Sequence, residues 1–227
     1  MAHGGVRLDT RENRLNDPHV RPLMDLVRDL RSRGLDVPNV DPNDGGVNAK
    51  VLILLETPGP KAVTSRFVSR DNSHPSARNL GRVLDDARLA RADVVLWNVV
   101  PQCVSTTEQN RNVCAAEVRD ALPALQAFID QLPKLPVVVF CGRNAQRASN
   151  HVDLPSRVQV LKTFHPGGMA YNRPTYRADI HATFEKARRL IASCGRDGGV
   201  RQKLAVGVVQ FRATTEVKAA SILPPRA

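Results

Sequence analysis

The chain has 227 residues, 42% of them hydrophobic, which suits one sizeable core and is short for two. Its formal net charge of +11 favours contact with a polyanion, through release of counterions condensed on phosphates. No apolar stretch approaches the ~18 residues of a membrane span, and the N-terminal MAHGGVRLDTREN lacks an apolar signal core, so a cytosolic protein with reduced cysteines is expected.

Asp17-Pro18 reads as an N-cap and first helical residue, after which Leu23, Leu26, Val27 and Leu30 recur at helical spacing until Gly34. Val37 to Asn48, rich in Pro, Asn, Asp and Gly, reads as a loop. Val51 to Leu55 is a continuous apolar run of the kind found in a parallel strand buried on both faces. Leu80, Val83, Leu84 and Ala87 mark a helix, and Val94 to Val99 a second strand closed by Pro101. A helical stretch from Glu108 to Leu132 follows, which Pro123 should kink or split. Val137 to Phe140 is a third strand, Asn144 to Asn150 a short helix, Val158 to Thr163 a fourth strand, and Tyr176 to Ser193 the last helix. Strands alternating with helices imply right-handed crossovers, hence an α/β fold of three layers, α/β/α, around a central four-stranded parallel sheet. The expected organisation is one domain over residues 1–195 and a basic C-terminal tail over 196–227, either an added edge strand or a mobile arm.

Three short stretches carry the chemistry: LLETPGP (Leu54 to Pro60), WNVVPQ (Trp97 to Gln102) and TFHPGG (Thr163 to Gly168). Each follows or ends an apolar strand-like run, and so delivers Glu56, Asn98 or His165 to the edge of a parallel sheet where ligands bind. A carboxylate, an amide and an imidazole from distant parts of the chain are thus expected in one cleft. Each alone has a bland reading, as a cap, a turn residue or a structural imidazole; their joint occurrence at matching strand ends favours a site. The first strand is followed by neither GxGxxG nor a Walker loop, which disfavours a nucleotide-binding enzyme.

In this order and at these strand ends the motifs resemble the uracil-DNA glycosylase superfamily. LLETPGP is similar to the Gly-Glu-Ala-Pro-Gly motif of its iron-sulfur branch: Glu56, Pro58 and Gly59 match, while Leu55 and Thr57 depart. WNVVPQ ends a strand at the uracil-reading Asn, here Asn98, and FHPGG resembles a His-Pro-Ser motif with Gly167 in place of Ser. The resemblance implies that Phe67 lies near the aromatic on which the base stacks, that Glu56 orients or deprotonates the attacking water, and that His165 stabilises charge on the uracil O2. An amide at Asn98 offers both a donor and an acceptor to the uracil edge. The loop after His165 would insert into the duplex, with Met169 or Tyr171 as the wedge. Arg66, Arg70, Arg78 and Arg173 lie in loops assigned to the same edge and would meet phosphates.

Gly59 stands where the best-known branch has a Tyr that blocks the thymine methyl. It would let the backbone approach the substrate and take conformations closed to other residues. Thymine must then be rejected by other means, or the base range is wider than uracil. Cys103 and Cys114 follow the second motif, where the iron-sulfur branch has two cluster ligands; the N-terminal pair of that branch is absent, and Cys141 and Cys194 come too late to replace it. A protein without metal or other cofactor is therefore expected. The reading is a monomeric glycosylase whose partner is DNA containing a deaminated base, with no membrane involved. Its alternatives are a glycosylase for hypoxanthine or xanthine, or a non-catalytic DNA-binding relative.

Overall fold

The computed structural model describes residues 10–104, 111 and 113–204, with side chains as far as residue 194. The central sheet has the order β4-β2-β5-β6 and is parallel throughout. In chain order the elements are α1 (Arg21–Ser32), β1 (Asn39–Val40), β2 (Val51–Leu55), α2 (Pro60–Ser65), β3 (Phe67–Val68), α3 (Pro75–Asp86), β4 (Val94–Asn98), α4 (Ala115–Asp130), β5 (Val137–Cys141), α5 (Arg143–Ala148), β6 (Gln159–Thr163), α6 (Gly168–Tyr171) and α7 (Pro174–Leu204).

Because strand side chains alternate between faces, the sheet divides its apolar residues between two cores. Leu52, Leu54, Val95, Trp97, Val138 and Phe140 meet α1, α4 and α5 on one face. There Trp97 stacks on Phe128 with ring centres 4.3 Å apart. Val51, Ile53, Val94, Leu96, Val137 and Val139 meet α3 and α7 on the other, through Leu80, Val83, Leu84, Ile180, Phe184 and Ala187. Burial on both faces explains why β2, β4 and β5 read as unbroken apolar runs.

The chain leaves β2 toward β4 through α3, on one face, and leaves β5 toward β6 through α5, on the other. The two adjacent central strands thus send their connections in opposite directions. The crevice beyond their C-terminal ends is the switch point of an open α/β sheet, where ligands bind.

The four strands lie where the apolar runs predict them, within a residue at each end. Other elements differ. The first helix begins at Arg21, with Pro22 in its first turn, because residues 17–20 form turns in which Asp17 C=O accepts from Val20 and Arg21 N–H, both at 2.9 Å. Pro123 neither splits nor ends α4, which runs unbroken through it. The Pro, Asn and Asp-rich loop holds a two-residue strand, β1, which pairs in parallel with β3, Asn39 opposite Phe67 and Val40 opposite Val68. The last helix continues past Gly195 to Leu204. The expected strand or arm beyond it, residues 205–227, lies outside the described residues.

Candidate active site

Three of the four central strands deliver a motif to one cavity of about 760 Å³, whose wall includes Leu55, Glu56, Pro58, Gly59, Leu96, Asn98 and His165. The register explains the meeting: Leu55 pairs with Asn98, so Glu56 leaves β2 beside the end of β4. Leu96 and Asn98, two apart on β4, point to the same side. Asn98 is 2% exposed, and among the described residues no hydrogen-bond partner engages its amide. A buried amide facing a cavity with donor and acceptor unused is costly unless a ligand or water satisfies it.

Glu56 is held from across the switch point. Its Oε1 accepts from Val113 N–H at 2.9 Å and from the Asn144 amide at 2.8 Å, while among the described residues nothing engages Oε2. Asn144 sits in the first turn of α5, just after β5. Thr57, a departure from the family motif, donates its hydroxyl to Gln102 C=O at 2.5 Å and ties the first motif to the second.

His165 follows the end of β6. Its Nδ1 accepts from Gly167 N–H at 3.0 Å. That bond leaves the ring proton of the neutral imidazole on Nε2, which becomes the donor. Burial lowers its pKa from the ordinary 6.5; Glu56 opposes that shift and His74 adds to it. The loop is anchored by α3, where buried Asn79 donates to Pro166 C=O at 2.9 Å. It passes close to Gly142, which has φ +91° and at which an added Cβ would come within 3.0 Å of the His165 Cβ. Only glycine suits that position readily.

The other expected site residues divide. Phe67 is not brought to the cavity: it is fully buried, and its ring faces the Arg11 guanidinium at 4.1 Å. Val68, its neighbour on β3, lines the wall instead, because adjacent strand residues face opposite ways. Gly59 has φ −79° and ψ 167°, ordinary extended backbone, so its conformation does not require glycine. What its missing side chain leaves is space, since nothing lies within 4 Å of a built Cβ. Tyr171 cannot serve as a wedge as it stands, being 9% exposed with its hydroxyl 3.1 Å from His181 Nε2. Met169, by contrast, is 89% exposed. Arg66 reaches toward Asp36 at 3.9 Å and Arg70 toward Asp85 at 3.4 Å, and neither lines the cavity. Arg173 is exposed beside Tyr176.

Sequence reasoning missed Asn144, Asn79, His74, Ser76, Lys61 and Arg111. The last four line the cavity, and Arg111 is clamped by both carboxylate oxygens of Glu117, at 2.9 and 2.5 Å. Asn144 was legible only as a polar residue following the third strand.

Cys141 is buried within β5 and Cys114 caps α4, and among the described residues no three His, Cys, Asp or Glu side chains gather in a metal-holding group. No described helix is long and apolar enough to cross a membrane.

The family model for the uracil DNA glycosylase superfamily matches residues 42–188. Among curated proteins, none matches the chain.

Proposed function

Because the chain belongs to the uracil DNA glycosylase superfamily, we propose that it hydrolyses the N-glycosidic bond of uracil in DNA and leaves an abasic site. The observation that carries this reading is the buried amide of Asn98, without a partner among the described residues, in a cavity shared with Glu56 and His165. The base is taken out of the stack, or from a single strand, and its pairing edge is read by that amide.

Bond cleavage leaves cationic character on the sugar and negative charge on the departing base. Glu56 Oε2 orients or deprotonates the water and offsets the sugar's charge, while Val113 N–H and Asn144 keep Oε1 in place. His165, neutral and donating from Nε2, stabilises the developing oxyanion on the base, an effect of the kind that contributes about 100-fold or more in rate. Neither role requires a metal. Exposed Met169 and the exposed, cavity-lining cations Lys61 and Arg111 stand where they can meet DNA.

The open space at Gly59 supports a second reading, a range that extends to hypoxanthine or xanthine. One assay tests both: labelled oligonucleotides bearing uracil, hypoxanthine, xanthine or mismatched thymine are incubated with the protein, treated with alkali and examined for strand scission. Scission at uracil is expected. Scission at the purines alone would replace the first reading with the second, and scission at none would reject both.

A further inference from the structure

The third motif carries an aromatic residue that the proposed chemistry leaves unused. Along β6, Leu161 and Thr163 turn inward, while Val160, Lys162 and then Phe164 turn out to solvent. Phe164 is 38% exposed and stacks on Tyr176 at the start of α7, with ring centres 3.8 Å apart and planes within 7°. The Arg173 guanidinium lies 5.3 Å from the centre of the same Tyr176 ring. Phe164 immediately precedes the cavity-lining His165, and exposed Met169 follows in α6.

A pair of flat rings used only for packing gains most when covered, and this one is left open to water. Cations stand beside it: the Arg173 guanidinium lies against Tyr176, and Lys162 shares the outward side of β6 with Phe164, while the neighbouring Asp179 is engaged by the inward Thr163 hydroxyl at 2.7 Å. Exposed aromatic faces set among Arg and Lys are the pattern by which proteins hold unstacked bases, the rings stacking on the base and the cations meeting the backbone. In a duplex every base face is already stacked, so only a single strand can use such a surface.

We propose that Phe164 and Tyr176 form a stacking platform for an unpaired nucleobase flanking the one held in the cavity, which gives the protein a preference for single-stranded DNA. The platform rests on the reading of this chain as a DNA-processing protein. It predicts that strand preference is set here, outside the pocket that reads the excised base.

The test is fluorescence anisotropy on the full chain with a labelled oligothymidylate of about 15 nucleotides and with the same strand annealed to its complement. Phe164→Leu keeps apolar packing against Tyr176 and removes the outer π-face. It should weaken binding of the single strand about tenfold, leave the duplex nearly unchanged, and leave the salt dependence unchanged because no phosphate contact is lost. Phe164→Trp should bind the single strand as the wild type does or more tightly. Wild-type affinity in Phe164→Leu, an equal loss on both substrates, or equally weak binding by the Leu and Trp variants would overturn the proposal. Oligothymidylate carries no uracil, so this outcome is independent of whether the protein excises uracil.

Discussion

Glu56, Asn98 and His165 each owe their chemistry to one neighbour or to the lack of one. Asn144 supplies a hydrogen bond to the Glu56 carboxylate from the other side of the switch point. A hydrogen bond to a charged group contributes about 1.5–3 kcal/mol, so Asn144→Ala should lower single-turnover excision about 10- to 100-fold while DNA binding is retained. An equal loss of binding and turnover would show that Asn144 acts otherwise. His165 has its Nδ1 occupied and its pKa lowered by burial, so the neutral, Nε2-donating form is favoured relative to an ordinary imidazole. In the pH–rate profile any step that disappears in His165→Gln should accordingly lie below the ordinary 6.5, and one above it would contradict the burial of the imidazole. Gly59 offers a third test: its extended backbone accepts a side chain, and Gly59→Tyr should narrow the base range toward uracil without unfolding the protein. The motif residues were legible because polar groups stood out at the ends of apolar runs. Phe67 was not, because its destination depends on the facing of a two-residue strand too short to show alternation.

At the scale of elements, β2, β4 and β5 declared themselves as apolar runs buried on both faces, β6 as a shorter run with one exposed side, and the long helices as 3.6-residue periodicity. α2 and α6, with six and four residues, are too short to show a period, and β1 owes its form to pairing with β3 rather than to its own composition. Pro123 was a misleading signal, since packing of Val118, Leu125, Phe128 and Ile129 against the sheet outweighs one lost hydrogen bond. The contact between the end of β5 and the third motif is the joint that bears on the site. At Gly142 a side chain would suffer both a positive φ and a 3.0 Å approach to His165 Cβ. Gly142→Ala should destabilise the fold by about 1–3 kcal/mol and impair excision beyond that loss, which denaturant melts and single-turnover rates on the same preparation would separate. Unaltered rates would show that the His165 loop tolerates displacement.

The whole molecule joins the sheet to its small β1–β3 annex through a buried charged cluster that reaches the cavity wall at Ser69. Asp41 accepts from Arg11 at 3.1 Å and Arg91 at 2.8 Å, and also from the Ser69 hydroxyl; Ser69 itself lines the cavity. Asp44 lies 3.0 Å from Arg91 Nε, yet the alignment forms no hydrogen bond and both its oxygens are otherwise unpartnered among the described residues. Burial, reinforced by Asp41, pushes its pKa from 3.8 up to about 8 against the pull of Arg91. Between those values the folded state holds a proton that the unfolded state has released, so this group makes stability fall as pH rises and levels off above about 8. Asp44→Asn should remove that component: its thermal midpoint, compared with the wild type, should gain relative stability from about pH 5 to about pH 8. A constant difference between the two across that range would mean that Asp44 is ionised throughout. No sequence signal distinguished this cluster from surface charge, because burial of Asp41 and Asp44 is decided by the folding of the loop over β4.

The central claim, that one cavity presents a carboxylate, an amide and an imidazole to an extruded uracil, is tested most directly by single-turnover scission of a uracil-containing oligonucleotide by the wild type, Glu56→Gln and Asn98→Ala. The account predicts alkali-labile scission by the wild type, a rate at least about 100-fold lower in each variant, and DNA binding retained by Glu56→Gln. Wild-type rates in either variant, or intact uracil after incubation with the wild-type protein, would contradict it.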